Sequence, residues 1–131
     1  FMGTPIDLSK VKLDTFITAG ITDHITPWQG CYATTQLLGG KSLFVLSNAG
    51  HIQSILNPPG NPKAKYFTGT EYPSDPDQWL ARAQPSTGSW WELWQTWLGE
   101  RSGKRIPAPL ALGNKQYPAS TPAPGTYVFE P

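Results

Sequence analysis

Residues 15–51 read TFITAGITDHITPWQGCYATTQLLGGKSLFVLSNAGH and predict a strand, a helix and a second strand, in that order. The two short apolar and β-branched runs, Thr15–Ala19 and Ser42–Leu46, are typical of strands that are buried on both faces. Between them, a polar loop leads into a predicted helix over Trp28–Leu38, which ends at a pair of glycines. This order of elements is characteristic of α/β proteins with a parallel sheet.

The start of that helix is predicted from two residues. Thr26 is a suitable N-cap, because its hydroxyl can accept a hydrogen bond from the first free N–H groups. Pro27 suits the first helical turn, where no N–H is needed. We therefore expect Thr26 to cap the helix.

The residues after the second strand are less regular. The pattern allows one short helical stretch over Ile52–Leu56, a long loop over residues 57–78 that is rich in Pro, Asn, Gly and Asp, and one helical turn over Gln78–Arg82. Ser89–Arg101 is the clearest helix, with Ser89 as its cap. Its apolar residues recur at helical spacing and predict a packed face of Trp90, Leu93, Trp94, Trp97 and Leu98.

The chain is predicted to need more sheet than it contains. Two parallel strands require neighbours at their edges and helices on both faces. The chain also begins at Phe1, with Met2 second, so we expect an upstream part of the same fold. The predicted organisation is one α/β segment over residues 1–103, followed by an extended tail rich in Pro and Ala over residues 104–131.

Composition excludes several classes of function. The formal net charge of +1 gives no electrostatic argument for binding nucleic acid. No apolar run approaches the length that a transmembrane helix needs. The single cysteine, Cys31, cannot form an internal disulfide and suits a reducing cytoplasm.

Two acid–base residues follow the two predicted strands. Reactive groups of open α/β sheets lie at the carboxyl ends of the strands, where Asp23 and His51 are found. The α/β-hydrolase order is nucleophile, acid, histidine, so these two residues fit the last two members. The alternatives are that Asp23 only caps the helix and that His51 is an ordinary surface histidine. His24 competes as the base, but a sequence neighbour of Asp23 rarely faces it, so His24 is interpreted as a rim residue.

Cys31 is not predicted to be the nucleophile. It lacks the flanking glycines of a Gly-x-Cys-x-Gly elbow and lies inside the predicted helix. We interpret it as a small packed side chain. The sequence therefore predicts no nucleophile in this chain, and no metal site.

Three motifs closely resemble the C-terminal end of polyhydroxyalkanoate synthases, especially the class II enzymes. They are Asp23–Trp28 (DHITPW), Ser47–Ile52 (SNAGHI) and Asn57–Pro59 (NPP). The resemblance implies the last two strands and covering helices of an α/β-hydrolase fold, and a Cys–His–Asp triad to which this chain contributes His51 as general base and Asp23 as the residue that orients it. Trp28, within the first motif, is expected at the rim of the site.

The resemblance also implies a reaction and a setting. The parent enzyme would be an acyltransferase that polymerises (R)-3-hydroxyacyl-CoA into polyester and releases CoA, with no cofactor because the CoA thioester is the substrate. It would act as a homodimer on cytoplasmic storage granules. The chain alone, without a nucleophile, is expected to be inactive.

Further interpretations stay open beside that one. The chain could belong to another α/β hydrolase, such as an esterase or depolymerase, or could be a granule- or synthase-binding module without catalysis. Exposed tryptophans would serve such binding, and Trp91, which lies off the helical stripe, is the best candidate. The basic residues could meet CoA phosphates, although a solvated surface is their commoner role: Lys63, Lys65, Arg101, Lys104 and Arg105.

Overall fold

A computed structural model describes residues 2–130 and contains one four-stranded sheet. The strands are β1 (Thr15–Gly20), β2 (Ser42–Ser47), β3 (Lys65–Thr68) and β4 (Gln84–Thr87), and they lie in that order across the sheet. The helices are α1 (Trp28–Leu37), α2 (Pro76–Arg82) and α3 (Trp90–Gly99), with short 3₁₀ turns at Leu8–Lys10 and Tyr127–Phe129.

The predicted strand–helix–strand unit is confirmed. β1 and β2 are parallel neighbours, in a register that runs from Thr15 opposite Ser42 to Gly20 opposite Ser47. α1 connects them and packs on both. Both strands become more buried toward their carboxyl ends, so the ends of the two strands lie together beside the core.

The sheet is larger and less parallel than predicted. β3 lies inside the predicted loop over residues 57–78, and β4 was not predicted at all. Both strands are antiparallel to their neighbours, so this segment does not end with two parallel strands. β4 contains Pro85, which has no N–H to donate and is tolerated because β4 forms the edge of the described sheet.

Two helix starts differ from prediction. The N-cap of α1 is Pro27, which makes no side-chain cap, so the prediction that Thr26 caps this helix is wrong. The threonine instead bonds the carboxylate of Asp23. α2 begins earlier than predicted, because Asp75 accepts a hydrogen bond from the N–H of Asp77. The predicted cap of α3 is confirmed, since Ser89 Oγ accepts from the N–H of Trp91 at 3.0 Å.

The core between α1, α2 and the sheet is mostly aromatic. Its most buried large side chains are Trp28, Tyr32, Phe44, Leu46 and Trp79. The ring centroids of Phe44 and Trp79 are 5.0 Å apart and those of Trp28 and Trp79 are 6.3 Å apart. Trp28 is only 5% exposed. The prediction that it lies at the rim of a site is wrong, because the first turn of α1 places it in this core.

The tryptophans of α3 divide into two groups. Trp90 and Trp97 pack on Phe16 of β1, with ring centroids 5.9 and 5.7 Å apart, so their predicted packing is confirmed. Trp94 remains 41% exposed, which contradicts its predicted place in the core. Trp91 is half-buried, so the more exposed indole on this helix is that of Trp94 and not that of Trp91.

One basic side chain has a clear structural partner. The guanidinium of Arg101 lies 4.1 Å from the centre of the Trp97 ring and 2.8 Å from Asp14 Oδ2. It therefore joins the end of α3 to the residues that precede β1. In residues 104–130 the structure has one isolated bridge, between Gly113 and Pro118, and the 3₁₀ turn at Tyr127–Phe129. No helix in residues 2–130 is long and apolar enough to cross a membrane.

Candidate active site

The parallel pairing of β1 and β2 brings Asp23 and His51 together. Beyond the strands, the N–H of Ile21 donates to the carbonyl of Ser47 at 2.9 Å, so the two chains continue side by side. His51 Nδ1 and Asp23 Oδ2 then lie 2.9 Å apart, although 28 residues separate them in sequence. The pair that the sequence analysis selected is thus in direct contact.

The carboxylate of Asp23 accepts three hydrogen bonds from the residues that follow it. Its Oδ1 accepts from the N–H groups of Ile25 at 2.9 Å and Thr26 at 3.0 Å, and its Oδ2 accepts from the hydroxyl of Thr26 at 2.7 Å. The side chain is only 5% exposed. Chiefly through the hydroxyl and N–H of Thr26, and also through His51 and Ile25, these contacts hold the pKa of Asp23 well below its ordinary value of 3.8. The residue is ionised at neutral pH.

The imidazole of His51 is fixed at one nitrogen and open at the other. Its side chain is 44% exposed, and Nδ1 makes the one hydrogen bond that the ring forms within residues 2–130. Because Asp23 is ionised, Nδ1 carries the proton and donates it to Oδ2. Nε2 of the neutral ring is then a free base, which is the arrangement that general-base catalysis requires.

His24 does not compete for the carboxylate. It is exposed, while the hydrogen bonds of Asp23 go to Ile25, Thr26 and His51. The expectation that sequence neighbours do not face each other is therefore confirmed for this pair. A place for His24 at the rim of the site stays a prediction.

A small cavity of about 110 Å³ lies beside the pair. Besides Asp23 and His51, it is lined by Thr18, Ala19, Gly20, Thr26, Cys31, Ser54 and Ile55. Cys31 is half-buried and also packs against the aromatic core. This cysteine thus lies nearer to the site than its position inside α1 suggested. Its assignment as a packed side chain rather than a nucleophile stays a prediction.

Asn48 fixes the turn before His51, and the sequence analysis missed it. Its Nδ2 donates to the carbonyl of Lys63 at 3.0 Å, and its Oδ1 accepts from the N–H of Lys65 at 2.9 Å. The amide thereby replaces part of a strand ladder between the end of β2 and the start of β3. An asparagine beside Ala49-Gly50 is a turn signal, but its partners lie just before and at the start of β3, in a stretch that was predicted as loop.

Gly20 allows the two halves of the site to approach closely. A Cβ at this position would lie 2.5 Å from the carbonyl oxygen of Ala49 and 2.9 Å from Cβ of Ser54. Any larger residue must therefore push the His51 turn away from β1.

We expect Gly20→Ala to lower the free energy of unfolding by about 1–3 kcal/mol, because overpacking at a rigid contact has that cost. Gly30→Ala is the matched control: Gly30 lies in α1, an added Cβ meets nothing within 4 Å, and alanine favours the helix by about 1 kcal/mol. Urea denaturation of the two variants measures both effects. Equal stabilities would show that the backbones at Gly20 are not in tight contact.

Within residues 2–130 no group of three or more His, Cys, Asp or Glu side chains is placed to hold a metal ion.

Comparison with known proteins identifies relatives over nearly the whole chain. It is 59% identical over 128 residues to poly(3-hydroxyalkanoate) polymerase 1 and 57% identical over 127 residues to polymerase 2, both of Ectopseudomonas oleovorans. It is 44% identical over 126 residues to the poly(3-hydroxyalkanoate) polymerase subunit PhaC of Cupriavidus necator. These alignments cover 96–98% of the chain. No protein-family model matches it.

The resemblance to polyhydroxyalkanoate synthases, including those of class II, is thus confirmed. The match covers only part of each relative, because the chain spans 23% of the length of the two Ectopseudomonas polymerases and 21% of the Cupriavidus protein. The α/β architecture with its four-stranded sheet is compatible with the C-terminal part of an α/β-hydrolase domain.

Proposed function

We propose that this chain is the part of a polyhydroxyalkanoate synthase that supplies the histidine and the aspartate of a Cys–His–Asp triad. The observation that carries the proposal is the 2.9 Å contact between His51 Nδ1 and Asp23 Oδ2 at the carboxyl ends of two parallel strands. The similarity of almost the whole chain to poly(3-hydroxyalkanoate) polymerases supports it. The cysteine nucleophile would come from the remainder of the parent protein.

In the first step, the free Nε2 of His51 takes the proton of the cysteine thiol. The thiolate attacks the thioester carbonyl of a 3-hydroxyacyl-CoA, the carbon–sulfur bond to CoA breaks, and the CoA thiolate leaves with the proton that His51 held. Asp23 stabilises the imidazolium that exists between these transfers and keeps the ring in the useful tautomer. The product is an acyl-enzyme thioester and free CoA.

In the second step, the same base serves a different nucleophile. His51 accepts the proton of a 3-hydroxyl group, and the resulting alkoxide attacks an acyl-enzyme thioester. An ester bond forms, and the cysteine leaves as a thiolate that regains its proton from the imidazolium. One base thus handles both transfers, and no cofactor is required, since the CoA thioester is itself the activated substrate.

The setting of the reaction follows from the same proposal. The site would be completed by the upstream part of an α/β-hydrolase domain. The parent enzyme would work as a homodimer at the surface of cytoplasmic polyester granules. Neither a membrane-spanning segment nor nucleic acid has a place in this scheme.

A chimera tests the proposal in one continuous polypeptide that contains the whole catalytic domain. This chain replaces the matching 128 residues of Ectopseudomonas polymerase 1, and CoA release from a medium-chain 3-hydroxyacyl-CoA is followed with a thiol reagent. We expect release by the chimera and none by this chain alone. Failure of a well-folded chimera to release CoA would contradict the proposal.

Cys31 provides a prediction within the same chimera. Because the nucleophile is assigned to the parent's own cysteine elbow, Cys31→Ser should retain CoA release, while replacement of the elbow cysteine by alanine should abolish it. Serine keeps the size of a side chain that packs against the core. Loss of release with Cys31→Ser in a folded chimera would instead assign the attacking thiol to Cys31.

The two alternative functions give other results. An esterase or depolymerase would act through a serine elbow upstream and would hydrolyse the ester of a preformed polymer rather than release CoA. A binding module without catalysis would bring the chain to granules equally well after His51→Ala. The hydrogen-bonded carboxylate–imidazole pair favours the catalytic proposals over the binding module.

A further inference from the structure

The segment that carries His51 has little regular structure of its own. No strand or helix lies between the end of β2 at Ser47 and the start of β3 at Lys65. Residues 50–56 form turns, with backbone bonds from the N–H of Ser54 to the carbonyl of Gly50 and from the N–H of Leu56 to that of Ile52. The side chain of Ile52, next to the histidine, is largely exposed. The position of His51 therefore depends on contacts from outside the segment.

Three consecutive residues at the start of α3 supply such contacts. Each donates a side-chain hydrogen bond to a backbone carbonyl of the segment: Ser89 Oγ to Asn57, Trp90 Nε1 to Ser54 at 2.7 Å, and Trp91 Nε1 to Ile55 at 2.9 Å. We call residues Ser89–Trp91 the α3 clamp. The clamp binds three backbone carbonyls within four residues of the chain. It therefore fixes the path of the backbone there, and not only the position of a single atom.

The clamp is tied to both members of the pair. Trp90 is 7% exposed and packs on Phe16 of β1, the strand that leads to Asp23. On the other side, Ser54 Oγ donates to the carbonyl of His51 at 3.2 Å. The clamp thus holds the turn that carries His51 against β1, the strand that precedes Asp23.

From this arrangement we infer that Trp90 and Trp91 are positioning residues for His51. The inference rests on the proposed function for its kinetic consequence. The indole N–H is the only polar group of a tryptophan side chain, and in Trp90 and Trp91 it donates to the carbonyls of Ser54 and Ile55. Replacement of the indole by a phenyl ring keeps an aromatic side chain and removes the hydrogen bond. The segment then gains freedom, and the contact between His51 and Asp23 loosens.

The first test observes the imidazole directly. The chain has two histidines, so nitrogen NMR of ¹⁵N-histidine-labelled chain gives two sets of ring signals, which His24→Gln assigns. In the wild-type chain we expect His51 in the Nδ1–H tautomer. In Trp91→Phe and Trp90→Phe we expect a shift toward the mixed tautomers of an unconstrained ring. Trp94→Phe is the matched control, since Trp94 lies on the same helix and is 41% exposed.

The second test uses the chimera. We expect Trp91→Phe to lower kcat about tenfold and to leave KM unchanged, because misplacement of a catalytic group slows the chemical step. The control variant Trp94→Phe should keep both the kcat and the KM of the parent chimera. A purely structural role would lower stability and leave both the tautomer and kcat unchanged.

The inference is overturned if both clamp variants keep the Nδ1–H tautomer and the parent kcat. If the Trp90→Phe variant does not fold, because the ring of Trp90 is buried, the tautomer and kcat of the Trp91→Phe variant decide whether the inference holds. A parent chimera without CoA release would contradict the proposed function alone, and the tautomer comparison would still test the clamp.

Discussion

Replacement of His51 by glutamine should lower CoA release by the chimera roughly 10²–10⁴-fold, the range that one general base contributes. Glutamine has nearly the size of histidine and can bond Asp23 Oδ2 through its amide, so the fold is conserved. It cannot take a proton from a thiol or a hydroxyl. Both half-reactions should therefore slow, whereas substrate binding, measured as KM, should change little.

His24→Gln separates the two possible bases. His24 is exposed and makes no hydrogen bond to Asp23, so we expect a much smaller loss than for His51→Gln. Initial rates of thiol release for the two variants, with circular dichroism to verify folding, give the comparison. A larger loss from His24→Gln would mean that His24, and not His51, is the general base. The proposed triad would then lose its main support.

The β1–α1–β2 unit could be predicted because its signals are local. Two apolar runs of strand length enclose a stretch with helical spacing, and the glycines after α1 end it. The contact between Asp23 and His51 follows from the same pattern, since parallel neighbours bring their carboxyl ends to one edge. Neither step needs knowledge of the rest of the chain.

β3 and β4 could not be predicted in this way. Each has four residues, and both occur among prolines, glycines and polar side chains that normally indicate loop. Their formation depends on partners: β3 completes hydrogen bonds that β2 offers at its free edge, with Leu46 opposite Phe67. Such tertiary pairing overrides weak local preference.

Periodicity showed which tryptophans share a face of α3, but not how far that face is covered. Phe16 reaches Trp90 and Trp97 and leaves Trp94 open. The indole hydrogen bonds of Trp90 and Trp91 were also beyond prediction, because their acceptors are backbone carbonyls of a segment without regular structure. Contacts of this kind depend on where α3 docks.

Asp23→Asn should reduce CoA release by the chimera on the order of 10⁴-fold, as in hydrolases whose triad aspartate becomes an amide. The amide of asparagine can donate to His51 Nδ1, at a distance of 2.9 Å in the native pair. That bond would favour the tautomer that carries the proton on Nε2. This nitrogen could then no longer accept a proton from the nucleophile. The loss should thus appear in kcat, and nitrogen NMR of His51 should report the exchanged tautomer.

Thr26→Val is the matched control for this change. It removes the hydroxyl that bonds Asp23 Oδ2 at 2.7 Å but keeps the carboxylate and its contact with His51. We therefore expect a smaller loss of kcat than with Asp23→Asn and no exchange of tautomer. Equal losses in the two variants would mean that the geometry of the Asp23 loop, and not the charge of the carboxylate, governs the rate.

The depressed pKa of Asp23 gives the pair a defined dependence of stability on pH. Since folding lowers this pKa below 3.8, the ionised carboxylate stabilises the folded chain fully at pH values above that of the unfolded group. The stabilisation is lost as the pH falls through the lower pKa of the folded state. The difference in unfolding free energy between the native chain and Asp23→Asn should therefore shrink as the pH falls below about 4. A difference that stayed constant down to pH 2.5 in urea titrations would show that the hydrogen bonds of Thr26, Ile25 and His51 do not favour the ionised form.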